Sequence, residues 1–187
     1  MNNPLAPKWL TPPLDANVLA PGVWPHTAHR NADGEIEIGG VAVSALAAEF
    51  GTPLYVFDEA DVRGRARRIR ESFAAACESV GTRGHVYYAS KAFSSAGVLR
   101  WMVDAGLRVD VATEGELELA LAAGVPAASI GLHGNNKSDG EIHRAVTVGV
   151  GTLVIDSLDE IDRVADIAER TGVVQNVRLR ANTGVHA

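Results

Sequence analysis

Short, β-prone apolar runs recur at a nearly fixed interval through most of this 187-residue chain, and that rhythm restricts its folds more than any single residue does. From Thr52 onward, strands are predicted at 53–57 and around Tyr87, Val109, Ile130, Val154 and Leu179. The later runs lie roughly 22 to 24 residues apart, which suits one strand, one helix and two short connections. Helical patterns fill the gaps at 58–77, 96–105, 114–123, 138–148 and 157–171. Asp58 is a candidate N-cap, and Gly106, Gly124, Gly149 and Gly172 stand where helices commonly end. Alternating β and α with short apolar strands predicts a parallel sheet covered by helices.

A doubly wound sheet and an α/β barrel both satisfy that pattern. The Rossmann fingerprint G-x-G-x-x-G and the P-loop are both absent. Polar residues instead gather just after successive strands: Lys91, Asp110, the stretch 133–137, Asp156 and Arg180. Polar groups converging from strand ends favour a TIM (β/α)8 barrel, whose chemistry sits on its C-terminal face. A closed barrel needs eight strands in about 250 residues. Here about six βα-type strands are counted, so a partial barrel, the first part of a larger one, is expected.

Residues 1–34 read as irregular, with Asn31-Ala32-Asp33-Gly34 a strong turn signal. Glu35-Ile36-Glu37-Ile38 alternates as a half-buried strand would, and 43–50 is a short helix closed by Gly51. The expected division is therefore 1–50, an N-terminal segment, and 51–187, the barrel part.

Net charge is −6, from 17 basic and 23 acidic residues, which argues against nucleic acid or an acidic membrane as the main partner. No run approaches the roughly 20 apolar residues of a membrane span, and the chain reads as cytoplasmic. The single cysteine, Cys77, excludes an internal disulfide and fits a buried helical stripe with Val62, Ala66, Ile69 and Phe73. Arg63, Arg65, Arg67, Arg68 and Arg70 are expected on a solvated outer face. The histidines show no metal-ligand spacing, and no metal is assigned.

Lys91 is the residue with most chemical promise. It follows a short strand and precedes a helix, and a partly desolvated lysine there can attack a carbonyl. On spacing alone, a solvated lysine just past a strand is the commoner outcome. Lys137 is expected to be a solvated helix-start residue.

Several motifs carry a family resemblance in chain order. Tyr88-Ala89-Ser90-Lys91-Ala92 resembles the cofactor-lysine motif of the fold-type III pyridoxal-phosphate decarboxylases, and Asp110-Val111-Ala112-Thr113-Glu114-Gly115-Glu116-Leu117 their second motif. His133-Gly134-Asn135-Asn136-Lys137-Ser138 is similar to the diaminopimelate decarboxylase branch. Gly51-Thr52-Pro53-Leu54-Tyr55-Val56 resembles that family's entry into its barrel, and Leu179-Arg180-Ala181-Asn182 its later strand-end arginine. Glu114 and Thr183 depart from it, standing where glycine and proline are common in the family.

The resemblance implies a barrel of the alanine-racemase-like type, with the N-terminal segment belonging to a separate β-domain. It implies pyridoxal 5'-phosphate as cofactor, held as a Schiff base on Lys91. Catalytic roles are expected for Lys91 and Asp110, and cofactor contacts for Lys91, Asp110, Glu116, His133, Asn135 and Arg180. Glu116 serves equally well as a helix-dipole partner, and Arg180 is expected to pair with a carboxylate or with Asp110. The implied reaction is decarboxylation of meso-2,6-diaminopimelate to L-lysine and CO2, by a homodimer acting on a small amino acid. The family's glycine-rich phosphate cup and its cross-dimer residues would fall beyond Ala187, so these residues alone are expected to be inactive. The alternatives are an ornithine or arginine decarboxylase, an amino-acid racemase, a cofactor-free Schiff-base aldolase, or a silent fragment.

Overall fold

The computed structural model describes residues 22–181 together with 7, 15, 17–20 and 184. Most of the proline-bearing stretch 1–13, and Asn182 and Thr183 near the other end, lie outside the described residues. The chain forms two compact units, Met1–Asp61 and Val62–Ala187.

In the first unit, β1 (His29–Arg30), β2 (Ile36–Ile38) and β3 (Val41–Ala42) form an antiparallel sheet with β2 in the middle. The strand expected at 35–38 is therefore the centre of a small sheet. Asn31 closes the preceding turn, its Oδ1 accepting from the backbone N–H of Asp33 and of Glu35. Helix α1 (Val43–Phe50) ends at Gly51, as expected. The segment 53–57 is a correction: it forms no strand, and Leu54, Tyr55, Val56 and Phe57 are exposed. An apolar, β-prone sequence alone does not make a strand, which also needs a neighbouring strand to pair with.

Helix α2 (Glu59–Ser79) starts where Asp58 Oδ1 accepts from the Asp61 N–H at 3.1 Å, the N-cap foreseen for it. Its apolar stripe is only partly used. Ala66 is buried, Cys77 is half-buried, and Ile69 and Phe73 are exposed. Nor is its arginine row uniformly solvated: Arg63 pairs with Asp104 at 2.9 Å and stacks on Trp101.

The second unit is built on five parallel strands: β4 (Tyr87–Ala89), β5 (Arg108–Val111), β6 (Ile130–Leu132), β7 (Thr152–Ile155) and β8 (Val177–Leu179). They lie side by side in chain order, with no reversal. A doubly wound sheet needs a switch in strand order; an uninterrupted sequence of right-handed crossovers keeps its helices on one face. The sheet is thus an arc of a barrel. The helices on its outer face are α3 (Ala96–Asp104), α4 (Glu114–Ala122), α5 (Asp139–Val148) and α6 (Leu158–Thr171).

Alternation along the strands separates two environments. Val109, Val111, Ile130, Leu132, Leu153 and Ile155 are buried in one cluster with Leu117, Ala120, Ile142, Ala145, Val164 and Ile167 of the helices. Arg108 and Asp110 alternate with Val109 and Val111, and are only half-buried. Each fully buried leucine or isoleucine of this layer contributes on the order of 1.5–3 kcal/mol. Serine or threonine caps α3 to α6: Ser95, Thr113, Ser138 and Ser157 each accept from the N–H three residues on. Gly149 and Gly172 end α5 and α6 with φ of 76° and 66°, a left-handed turn that other residues enter at a cost. No helix of the described residues is long and apolar enough to cross a membrane.

Candidate active site

Lys91 sits in a single 3-10 turn, Ser90–Ala92, directly after β4. The turn is fixed from both sides. Tyr88 donates its hydroxyl to the Phe93 carbonyl at 2.8 Å, and Ser94 donates to the Ser90 carbonyl at 2.8 Å. Ser90 points inward, 1% exposed, while Lys91 is exposed and makes no hydrogen bond to a described residue. The amine is therefore delivered to solvent at a strand end, not desolvated.

Asp110 lies on the adjacent strand, one residue before its end. It is in register with Ala89 on one side and Gly131 on the other. Burial pushes its carboxyl above the ordinary carboxylate range; His133 and Lys91 pull it back down, and Glu116 adds to the rise. His133, just past β6, places Nε2 at 3.2 Å from Asp110 Oδ1. That is ion-pairing distance without hydrogen-bond alignment, since Oδ1 is buried and lacks a hydrogen-bond partner. Ser90 Oγ is likewise buried with no partner. Lys91, Asp110 and His133 thus come from three successive strand ends, with two unsatisfied polar atoms among them.

The remaining candidates divide. Glu116 turns back to accept from the Ala112 N–H at 2.7 Å, which makes it part of the start of α4. Asn135 is exposed in the loop after β6. Arg180 pairs with Asp156 at 2.9 Å, not with Asp110; Asp156 ends the strand next to its own, whereas Asp110 is on β5. Lys137 is the clearest correction. It is 3% exposed and pairs with Glu160 at 2.9 Å. A lysine enters a protein interior only when its charge is met, and Glu160 at the start of α6 meets it.

A family model described as "Pyridoxal-dependent decarboxylase, pyridoxal binding domain" matches residues 61–187. The chain belongs to that family. All six candidate site residues of this pyridoxal-dependent decarboxylase chain, from Lys91 to Arg180, fall within the matched stretch. A diaminopimelate decarboxylase of Mycobacterium bovis is 46% identical over 169 residues, 90% of this chain and 36% of that protein. A crystal structure of diaminopimelate decarboxylase from M. jannaschii has a TM-score of 0.80 at 31% identity, covering 87% of this chain and 37% of the other. The same enzyme in co-complex with L-lysine gives 0.74 at 30% identity, covering 87% and 37%. The chain therefore spans a little over a third of the length of these relatives.

Two buried residues of the strand-end region escaped sequence reasoning. Ser90 gave no signal beyond its place beside Lys91. Glu160 did give one: it is third in a helix after a Ser cap, the same offset as Glu116 and Glu141, and such carboxylates face backward toward strand ends.

Proposed function

We propose that this chain supplies the lysine-bearing part of a pyridoxal-phosphate-dependent enzyme that decarboxylates meso-2,6-diaminopimelate to L-lysine and CO2. The observation that carries the reading is the placement of Lys91: an exposed amine on a braced turn, beside Asp110 and His133, next to two buried polar atoms without hydrogen-bond partners. Those atoms and the half-exposed imidazole fit a polar aromatic ring with ring-nitrogen, hydroxyl and aldehyde groups. The 46% identity to a diaminopimelate decarboxylase favours that substrate over ornithine or arginine, as does the hexapeptide 133–138.

Bound pyridoxal phosphate supplies an aldehyde for an amine to capture and a ring that accepts the electron pair left by departing CO2. Lys91 holds the cofactor through Nζ, and as a free amine it moves a proton at the reacting carbon. Asp110 sets negative charge where it favours a protonated nitrogen. His133 and Asn135 would contact the cofactor, and Glu116 and Arg180 would border it through the loops they stiffen. The N-terminal residues 1–50 contribute to a β-domain, and residues 51–187 to the barrel. The working enzyme is a cytoplasmic homodimer.

The test is chemical trapping. The chain is mixed with pyridoxal phosphate, reduced with borohydride, digested and mapped by mass spectrometry, with Lys91→Ala as control. Only three lysines are present, Lys8, Lys91 and Lys137, so the map is simple. Capture at Lys91, abolished in the variant, is the expected result. Equal labelling of Lys8 and Lys91 would refute a selective site.

A further inference from the structure

Behind the loop that carries His133 lies a charged pair that takes no part in the reading above. Lys137 and Glu160 are 2.9 Å apart, with side chains 2% and 4% exposed. Lys137 Nζ also donates to the Gly134 carbonyl at 2.7 Å and to the Val154 carbonyl at 2.8 Å. An ammonium has three protons, and these three acceptors use all of them. The second oxygen of Glu160 accepts from the Asp156 N–H at 2.9 Å. Every strong bond of the pair therefore ends on backbone of the loop after β6, of β7 or of the loop that follows β7, or on the pair itself.

The geometry around Gly134 gives this a purpose. Its φ is 124°, a conformation side-chain-bearing residues rarely adopt, and a Cβ there would stand 3.3 Å from both the Ala112 carbonyl and Lys137 Cγ. A glycine so placed turns the chain sharply but does not hold it. Lys137 holds it, by the Gly134 carbonyl. One residue earlier, the His133 N–H is tied to the Val111 carbonyl at 2.7 Å. The imidazole is thus set between a bond to β5 and a bond, through Lys137, to β7.

We propose that Lys137 is a positioning residue of this site: its ammonium, clamped by Glu160, fixes the loop after β6 so that His133 meets Asp110. Lys137 does not itself capture an aldehyde, because its protons are committed and its amine is buried. The consequence for cofactor capture rests on the function proposed above; the placement of His133 does not.

Nuclear magnetic resonance of the His133 ring tests the placement directly. In the unaltered chain, Asp110→Asn moves the His133 ring resonances. In a Lys137→Met/Glu160→Leu background, which exchanges the pair for apolar volume, the same substitution is expected to move them less than a third as far. Helical circular dichroism shows whether that background is folded. An undiminished response in a folded background overturns the proposal. Should that background not fold, Lys137→Gln/Glu160→Gln replaces it and is read in the same way; if neither folds, the pair is structural alone and the proposal falls. A second readout is borohydride trapping of pyridoxal phosphate on Lys91, expected to drop at least threefold in the folded background. Absence of trapping in the unaltered chain would sink the proposed function, while the His133 response would still decide the role of Lys137.

Discussion

Asp110 Oδ1 and His133 Nε2 stand 3.2 Å apart at the ends of adjacent parallel strands, and the aspartate oxygen has no hydrogen bond to relieve its burial. The sheet register and the loop after β6 set the two groups side by side, and burial outweighs the pull of the imidazole on the carboxyl. A carboxylate placed this way costs the fold stability in its ionised form.

That cost has a pH signature. The Asp110 pKa is raised in the folded chain, chiefly by burial, so the folded state binds a proton more readily than the unfolded one. Its contribution is fully favourable below the unfolded carboxylate pKa and is lost as pH rises through the raised folded value. Asp110→Asn should therefore raise the melting temperature at pH 7 to 8, with the gain shrinking as pH falls toward 4. Thermal melts across that range check it; a gain that grows on acidification would contradict the assignment.

The chain's lysines should differ sharply toward an amine-acylating reagent. Lys91 is exposed, whereas the Lys137 side chain is 2% exposed and fully hydrogen-bonded. Brief acylation followed by peptide mapping should modify Lys91 and spare Lys137. In denaturant the two should react alike.

Breaking the buried pair should be expensive. Glu160→Ala leaves the Lys137 ammonium without its counter-charge and frees the Asp156 N–H. The expected loss is about 3–5 kcal/mol by urea unfolding, the usual range when one member of a buried pair is removed. The exposed pair Arg144 with Glu118 makes the contrast: despite 2.6 and 3.0 Å bonds, its loss should leave the urea midpoint almost unmoved.

Gly151 is a packing test free of charge effects. A Cβ built there would meet the Ala128 carbonyl oxygen at 2.0 Å, and that oxygen is backbone, unable to swing aside. Gly151→Ala should destabilise by about 1–3 kcal/mol in urea unfolding. Gly124→Ala, with open space around its Cβ, separates the clash from the backbone cost of its φ of 81°.

The rhythm of the barrel strands was legible because their burial is periodic and local. Val109, Ile130 and Val154 each lie in a strand where an apolar run was expected, and Ser95, Thr113, Ser138 and Ser157 cap helices with their own side chains. The segment 53–57 misled because strand formation needs a partner, which composition does not supply. Lys137 misled because its neutralising carboxylate lies 23 positions later, on the helix of the next βα unit. Arg180 was expected to pair with an unspecified carboxylate or with Asp110; it pairs with Asp156, just past the neighbouring strand β7, a proximity set by the sheet order. The exposure of Lys91 agrees with what spacing alone favoured, a solvated lysine just past a strand, and not with a desolvated amine.

The alternation along β5 carries a safeguard for assembly. Arg108 and Asp110 face one way, Val109 and Val111 the other. If β5 slid by one position against β4 and β6, an arginine and an aspartate would be thrust among Leu117, Ala120 and Ile142, and both valines would be stranded on the polar side. No half-measure exists between those arrangements, because the pleat admits only whole steps. Mispairing during folding is thus punished at once and in full, so the strand that carries the site's aspartate also proofreads the arc around it.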